Sequence, residues 1–213
     1  MVKQGSEQMA CIYEFNGFIP VVPEDAFVHP EAVLIGDVII GRGCYIGPCA
    51  SLRGDFGGIR IGDGANVQDC CVLHSFPNWQ VRIGVDGHIG HGAILHGCHI
   101  GADGLVGMNA VVMDGVETGE SCIIGANSFI KANTKIPARS LVAGSPAKIL
   151  REVRDQELKW KQDGTRGYQK LAEACLNGGL RRVEPLREVG ADRPTWPVGD
   201  TRPLFEVKQE TSE

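Results

Sequence analysis

The sequence predicts a parallel β-solenoid, a three-sided coil of short strands with helices at its C-terminal end. Three observations predict it. An aliphatic residue returns at every sixth position for more than a hundred residues. A small side chain, usually Ala, Cys, Ser or Val, stands four places after it. Glycine, at 29 of 213 residues, has roughly twice its average usage, and it falls in phase, often directly after the aliphatic position. Period six fits neither an α-helix nor a flat strand. It fits hexapeptide repeats whose rungs ladder ~4.8 Å apart, with the aliphatic residue inside and the small one at a corner. Three hexapeptides, about 18 residues, complete one turn. The period alone leaves the hand of the coil open.

Taken in order, the first stretch with structural character is ACIYEFNGFIPVVP, a strand and loop expected to cover the first rung. The repeat then runs Val28, Leu34, Ile40, Ile46, Leu52. After a slip of three residues it resumes at Ile61, Val67, Leu73, and after an insertion of four at Ile83, Ile89, Leu95. One residue is lost, and the series continues Ile100, Val106, Val112, Thr118, Ile124, Ile130, Ile136, Val142. Residues 1–143 are therefore expected to form the N-terminal cover and the coil. Gly144-Ser145-Pro146 stops the period, and Ala147 to Asp163 is rich in helix formers. Tyr168, Leu171, Ala172, Cys175 and Leu176 then fall at i, i+3, i+4, i+7 and i+8, a one-sided apolar stripe ended by Gly178-Gly179. Residues 144–180 are expected to be helices packed on the coil, and 181–213, rich in Pro and charge, an extended or partly disordered tail.

Bulk properties narrow the function. A formal net charge of −5 gives no basic face for nucleic acid. Met1 to Ala10 lacks the apolar core of a signal peptide, and no run approaches the ~18 apolar residues of a membrane span. The 8 cysteines contain no C-x-x-C pair, which argues for free thiols in a reducing compartment rather than a zinc ribbon. A cytoplasmic protein without nucleic-acid or membrane partners is expected.

The chemistry lies between Asn66 and Met108, which holds five of the six histidines. Leu73 and Leu95 are 22 residues apart; without the four-residue insertion that is 18, one turn. His74 and His96, each one step past an inward leucine, should therefore stack on adjacent rungs and converge on one ion. His91, five residues before His96, sits about one wall earlier, some ~15 Å along the strand path. It cannot easily reach the same ion within one chain. It could complete the site of a neighbour if three chains pack around a threefold axis, giving a homotrimer with one site per interface. Three neutral imidazoles and an open fourth position form the catalytic zinc pattern; imidazole suits iron and cobalt as well. A single such histidine would be an ordinary surface residue. His29, His88 and His99 lack this register and are expected to be structural or solvated.

The segments LRGD (Leu52 to Asp55), NVQD (Asn66 to Asp69), VLH (Val72 to His74), GH (Gly90-His91) and LHGC (Leu95 to Cys98) together resemble the γ-class carbonic anhydrase-like family. FVHPEAVLIGDVIIG, LVGMNAVVMDG, VAGSPAKI and VEPLREV are similar to its branch serving aerobic phenylacetate breakdown. The likeness runs from about Ile12 to Val189. It implies a left-handed parallel β-helix of hexapeptide repeats with C-terminal α-helices, assembled as a trimer with zinc held between subunits by His74, His91 and His96. Carried over one at a time, Gln68 implies a partner for the metal-bound water or anion, and Asn66 a pocket residue beside it. Tyr168 implies a helix tyrosine overhanging the metal, and Arg53 and Asp55 a pair linking subunits near the site. Where efficient anhydrases of the family carry proton-relaying glutamates, this chain has Phe56 and the Ser75-Phe76-Pro77-Asn78-Trp79 loop. Phe56, Phe76 and Trp79 would instead form an apolar mouth for an organic acyl group.

The resemblance therefore implies a metal-dependent thioesterase. It would hydrolyse acyl-CoA thioesters, of the (hydroxy)phenylacetyl-CoA type, through a metal-bound hydroxide, with the metal and Gln68 stabilising the oxyanion. A γ-class carbonic anhydrase would use the same hydroxide on CO2. A hexapeptide acyltransferase, suggested by Gly144-Ser145-Pro146-Ala147-Lys148, would need a single general-base histidine and no metal. A non-catalytic scaffold or chaperone-like partner of an enzyme complex is the fourth expectation.

Overall fold

The computed structural model describes residues 10–195 and 203–209. The repeat folds as a parallel β-solenoid of about seven turns. One wall stacks Phe27–Val28, Tyr45–Ile46, Asn66–Val67, His88–Ile89, Leu105–Val106, Ile123–Ile124 and Ser140–Gly144. The second wall carries Val72–His74, Ile94–His96, Val111–Val112 and Phe129–Ile130. The third carries Val81–Ile83, His99–Ile100, Glu117–Thr118 and Lys135–Ile136. The second and third walls form one continuous sheet, because Val33–Ile40 and Ser51–Ile61 run through the corner between them.

The aliphatic series is the core. Leu34, Ile46, Leu52, Val67, Leu73, Ile89, Leu95, Val106 and Val112 are fully buried, each contributing roughly 1.5–3 kcal/mol of apolar burial. Ala50, Cys71, Ala93 and Ala110 fill the narrow corners. Thr118, the polar member of the series, is buried but accepts a hydrogen bond from the Gly101 N–H at 2.9 Å. The corners themselves need left-handed backbone, and Asn, Asp and Gly supply most of it.

Both extra segments of the repeat bulge from the same corner, between the second and third walls. Asp55 to Gly58 comes from the slip, Ser75 to Gln80 from the insertion. They touch: a Cβ on Gly57 would lie 2.1 Å from the Trp79 carbonyl oxygen, so only glycine fits there. Ser75 Oγ donates to the same carbonyl at 3.1 Å and ties the second loop shut.

The C-terminal part departs from the sequence expectation. Ala147–Glu152 is not helical; it is a strand that returns antiparallel to Ser140–Gly144, past a cis Ser145–Pro146 bond. The last rung would otherwise leave a row of unpaired backbone groups at an open edge, and pairing them outweighs the helix propensity of the segment. Helix α1, Asp155–Ala174, starts later. Glu157 closes its N-terminus, accepting from the Arg154 N–H at 3.1 Å and from both guanidinium nitrogens of Arg151 at 2.8 Å. The helix crosses the first wall. Tyr168, Ala172 and Cys175 of the expected stripe pack on Phe27 and Tyr45, whereas Leu171 and Leu176 are exposed. Lys161 is buried beneath it and its ammonium donates to the Asp103 carboxylate at 2.7 Å and to the Asp86 carbonyl at 2.5 Å. Between 144 and 180 the chain thus forms a hairpin, one long helix and the wider turn Cys175–Gly179. In the tail, Leu204–Gln209 forms a short helix α2, and Gln156 Nε2 on α1 donates to the Val207 carbonyl at 2.5 Å. Residues 196–202 and 210–213 of the expected tail, and 1–9 of the cover, lie outside the described residues. Cys11–Tyr13 lies parallel to Val33–Ile35 as the first cover strand.

Candidate functional site

The register puts His96 directly beside His74 across the ladder, with Leu95 beside Leu73. Because both leucines point inward and are fully buried, both imidazoles point outward at the corner that carries the two extra loops. His74 Nδ1 and His96 Nε2 face each other at 3.1 Å.

Their other nitrogens are committed. His74 Nε2–H donates to Asp55 Oδ1 at 3.0 Å, and His96 Nδ1–H donates to Asp114 Oδ1 at 2.6 Å. Each carboxylate fixes its ring's tautomer, so the two nitrogens that face each other are both lone pairs. Two lone pairs at that distance repel unless a positive charge, either a proton on one ring or a metal ion, lies between them. Two nitrogens at ~2.0–2.1 Å from one tetrahedral ion lie roughly 3.3 Å apart, close to the spacing found. Carboxylates behind ligating histidines are also the usual support of a metal site. The residues present therefore fit a divalent metal. Gly97 is needed for this arrangement: its φ is +52°, and a Cβ there would meet Asp114 Oδ1 at 2.6 Å.

Arg53 lies on the rung before His74, and its guanidinium donates to Asp55 Oδ2 at 2.7 Å. Burial pushes the Asp55 carboxyl up, but the hydrogen bonds from Arg53 and His74 outweigh it and leave the pKa below the ordinary carboxylate range. Burial also holds the His74 pKa below its ordinary value, against the pull of Asp55. The Phe56 ring stands 5.7 Å from that of His74, and the Phe76 ring 5.0 Å from that of His96. Phe56 and Trp79 also wall a groove of about 600 Å³ that continues past Asn78 and Arg82 to His99 and Glu117.

His91 is on the opposite corner of the second wall. Its Nδ1–H donates to Asp69 Oδ2 at 2.7 Å, which leaves Nε2 as a lone pair that accepts from the Tyr168 hydroxyl at 3.4 Å. Among the described residues, no three His, Cys, Asp or Glu groups converge within the chain. Asn66 and Gln68 belong to this second corner and lie under α1, both buried. Gln68 Nε2 donates to Asn66 Oδ1 at 2.9 Å and to His88 Nε2 at 2.7 Å. Burial pushes the Tyr168 hydroxyl up to about 12, so it is a neutral phenol at physiological pH.

The expected site residues thus fall into two groups at two corners of the coil. Arg53, Asp55, Phe56, His74, Phe76, Trp79 and His96 stand at one corner; Asn66, Gln68, His91 and Tyr168 stand at the other. Sequence reasoning missed Asp69, Asp114 and His88. Asp69 and His91, and likewise Asn66 and His88, are each 22 residues apart, the spacing that links His74 to His96, so the same arithmetic would have found them. His88 is neither solvated nor loose. It is half-buried beneath Tyr168, ring edge to ring face at 5.4 Å, and desolvation, then Lys161 and His91, hold its pKa down to about 4.

Fold and site define a hexapeptide-repeat solenoid protein, and residues 20–54 match the bacterial transferase hexapeptide (six repeats) family. The chain is 55% identical over 182 residues to the carnitine operon protein CaiE of Salmonella agona, covering 85% of this chain and 91% of that one. It is 53% identical to CaiE of Escherichia coli K12 over 85% of this chain and 92% of that one. The chain belongs to the CaiE family of hexapeptide-repeat proteins. Among solved structures, it is similar to a Bacillus cereus protein provisionally described as an acetyltransferase, with TM-score 0.78 and 35% identity over 79% of this chain and 98% of that one. A hexapeptide transferase family protein from Anaplasma phagocytophilum matches with TM-score 0.74 and 34% identity, over 77% and 97%. Among the described residues, no helix is long and apolar enough to cross a membrane.

Proposed function

We propose that three chains assemble so that His74 and His96 of one subunit, with the partner subunit's His91, hold a zinc ion, and that the protein is a cytoplasmic metal-dependent acyl-CoA thioesterase. Iron or cobalt would suit the same nitrogens. The observation that carries this is the pair of lone-pair nitrogens 3.1 Å apart, each ring locked by a carboxylate. The resemblance to the phenylacetic acid degradation protein PaaY supports aryl-acetyl thioesters, (hydroxy)phenylacetyl-CoA among them, as substrates. A bound divalent metal would supply Lewis acidity and bring the pKa of water down to about 7.

The chain's own residues supply the rest. Phe56, Phe76 and Trp79 offer an apolar surface beside the histidine pair for an aryl-acyl group. Both amide hydrogens of Gln68 are used by Asn66 and His88, so the end it offers outward is Oε1, an acceptor. An acceptor cannot stabilise an oxyanion. It can take a hydrogen bond from the attacking water and aim its oxygen at the thioester carbonyl. Water adds to that carbonyl, the carbon–sulfur bond breaks, and the acid and the CoA thiol leave. Tyr168, a neutral phenol, can donate to an oxygen of the acyl group.

A γ-class carbonic anhydrase is the second reading, favoured by the same histidines; Phe56 and the Ser75 to Trp79 loop offer no carboxylate to relay protons. The names of the solved relatives favour acyl transfer. One experiment separates the three: CoA release from a panel of aryl-acetyl and aliphatic acyl-CoA esters, beside CO2 hydration and acetyl transfer, with and without chelator. Hydrolysis that stops on chelation while the trimer persists is expected. Unchanged hydrolysis in metal-free trimer would overturn the mechanism, and CO2 hydration at the rate of good anhydrases would put the second reading in its place.

A further inference from the structure

We propose that His88 is a positioning residue whose tautomer fixes which end of the Gln68 amide faces the site; the functional weight of this rests on the proposed hydrolysis. Asn66 and His88 are paired across the ladder of the first wall, one rung apart. Both side chains point outward, and α1 covers them, so their polar atoms must find partners in the chain.

The partners form a set closed except at the Asn66 amide. Thr165 on α1 donates its one hydroxyl hydrogen to the Lys161 carbonyl at 3.1 Å. Its oxygen, 3.2 Å from His88 Nδ1, can then only accept, which places the imidazole hydrogen on Nδ1. A neutral imidazole has one donor and one acceptor, so Nε2 is the acceptor and must be met by an N–H. The Gln68 amide nitrogen meets it at 2.7 Å. The second amide hydrogen goes to Asn66 Oδ1 at 2.9 Å. The amide of Asn66, 3.2 Å from Nδ1, would need a lone pair there and so favours the other tautomer; the shorter Gln68 contact at 2.7 Å and the Thr165 oxygen outweigh it. Both Gln68 hydrogens are used, and Oε1 turns outward. Among the described residues Oε1 has no hydrogen-bond partner, and among them Ser128 Oγ alone is both unpaired and sealed from solvent, so Oε1 reaches solvent.

Inverting Gln68 would require every member to turn over at once. His88 would need Nε2–H, Asn66 would need to exchange its oxygen and nitrogen, and Thr165 would have to leave the Lys161 carbonyl. Tautomer and amide polarity are therefore one variable, and the helix sets it through Thr165. A histidine that merely filled space beneath Tyr168 would tolerate either tautomer.

The test uses the full-length trimer labelled with 15N in histidine and glutamine side chains. NMR should find His88 as the Nδ1–H tautomer, with the Gln68 amide hydrogens slow to exchange, in both metal-free and zinc-loaded protein. His88→Gln can set an acceptor where Nε2 stood and should rescue the amide protection. His88→Asn, whose amide reaches only as far as Nδ1, should not. With a thioester substrate, His88→Asn should lower kcat about tenfold at little-changed KM, the scale of one misdirected hydrogen bond, while His88→Gln stays near wild type. An Nε2–H tautomer, or equal amide protection in the two variants, overturns the proposal. If no thioester is hydrolysed by any of the three proteins, the hydrolase reading fails while the tautomer and amide protection still decide the role of His88.

Discussion

Acid should destabilise this protein partly through His88, by an amount the structure sets. In the unfolded chain an imidazole takes up its proton near 6.5. Under α1 the ring resists protonation until about 4, because burial, then the charges of Lys161 and His91, oppose it. The folded pKa is depressed. The His88 contribution is therefore complete above about pH 6.5, drains as pH falls, and is gone below about 4, where both states are protonated. The interval of about 2.5 units, at 1.36 kcal/mol per unit, gives about 3 kcal/mol. Other groups titrate over the same range, so the measurement is a difference. Urea unfolding of wild type and His88→Gln is compared at pH 7.5 and pH 4, with chelator present and at one protein concentration, because assembly couples to stability. The stability advantage of wild type over the variant should shrink by about 3 kcal/mol on acidification. If the two proteins lose stability in parallel, His88 is not held neutral by its burial, and the account of the first wall fails with it.

Mixing His91→Ala with His96→Ala under subunit exchange should restore about a quarter of wild-type zinc and activity, because one interface in three of a mixed ring joins intact halves; verified exchange with no recovery would refute a site split between chains. Asp114→Asn, which takes away the carboxylate 2.6 Å from His96 Nδ1, should weaken zinc about 10–100-fold in competition with a chelating dye. Unchanged affinity would mean that Asp114 does not orient the ligand. Lys161→Met leaves the Asp86 carbonyl unpaired beneath α1 and Asp103 without its cation, held only by Gln162 and Ser121, and should cost about 3 kcal/mol in denaturant unfolding, and a loss within experimental error would show that the helix docks without it.

The fold was legible because the aliphatic, glycine and small positions repeat in one strict period, which only stacked rungs can satisfy. The pairing of His74 with His96 was legible for the same reason, once the insertion was subtracted. His88 obeys the same arithmetic, but its neighbour in the ladder is Asn66, an amide whose residue type names no chemistry by itself. The return strand Ala147–Glu152 was not legible, because helix propensity is local and the unpaired edge it covers is made by residues elsewhere in the chain.

By itself, then, the sequence determined which residues share a rung and which wall each occupies, since a solenoid converts spacing along the chain directly into position in space. Only the tertiary structure decided which nitrogen of each histidine is free, which end of Gln68 faces outward, and that α1 seals the first wall. Those depend on the side chains of Asp55, Asp69, Asp114 and Thr165 meeting rings on other rungs and across the helix. A proton's place on an imidazole is set by the partner it meets, and no period in the sequence encodes that.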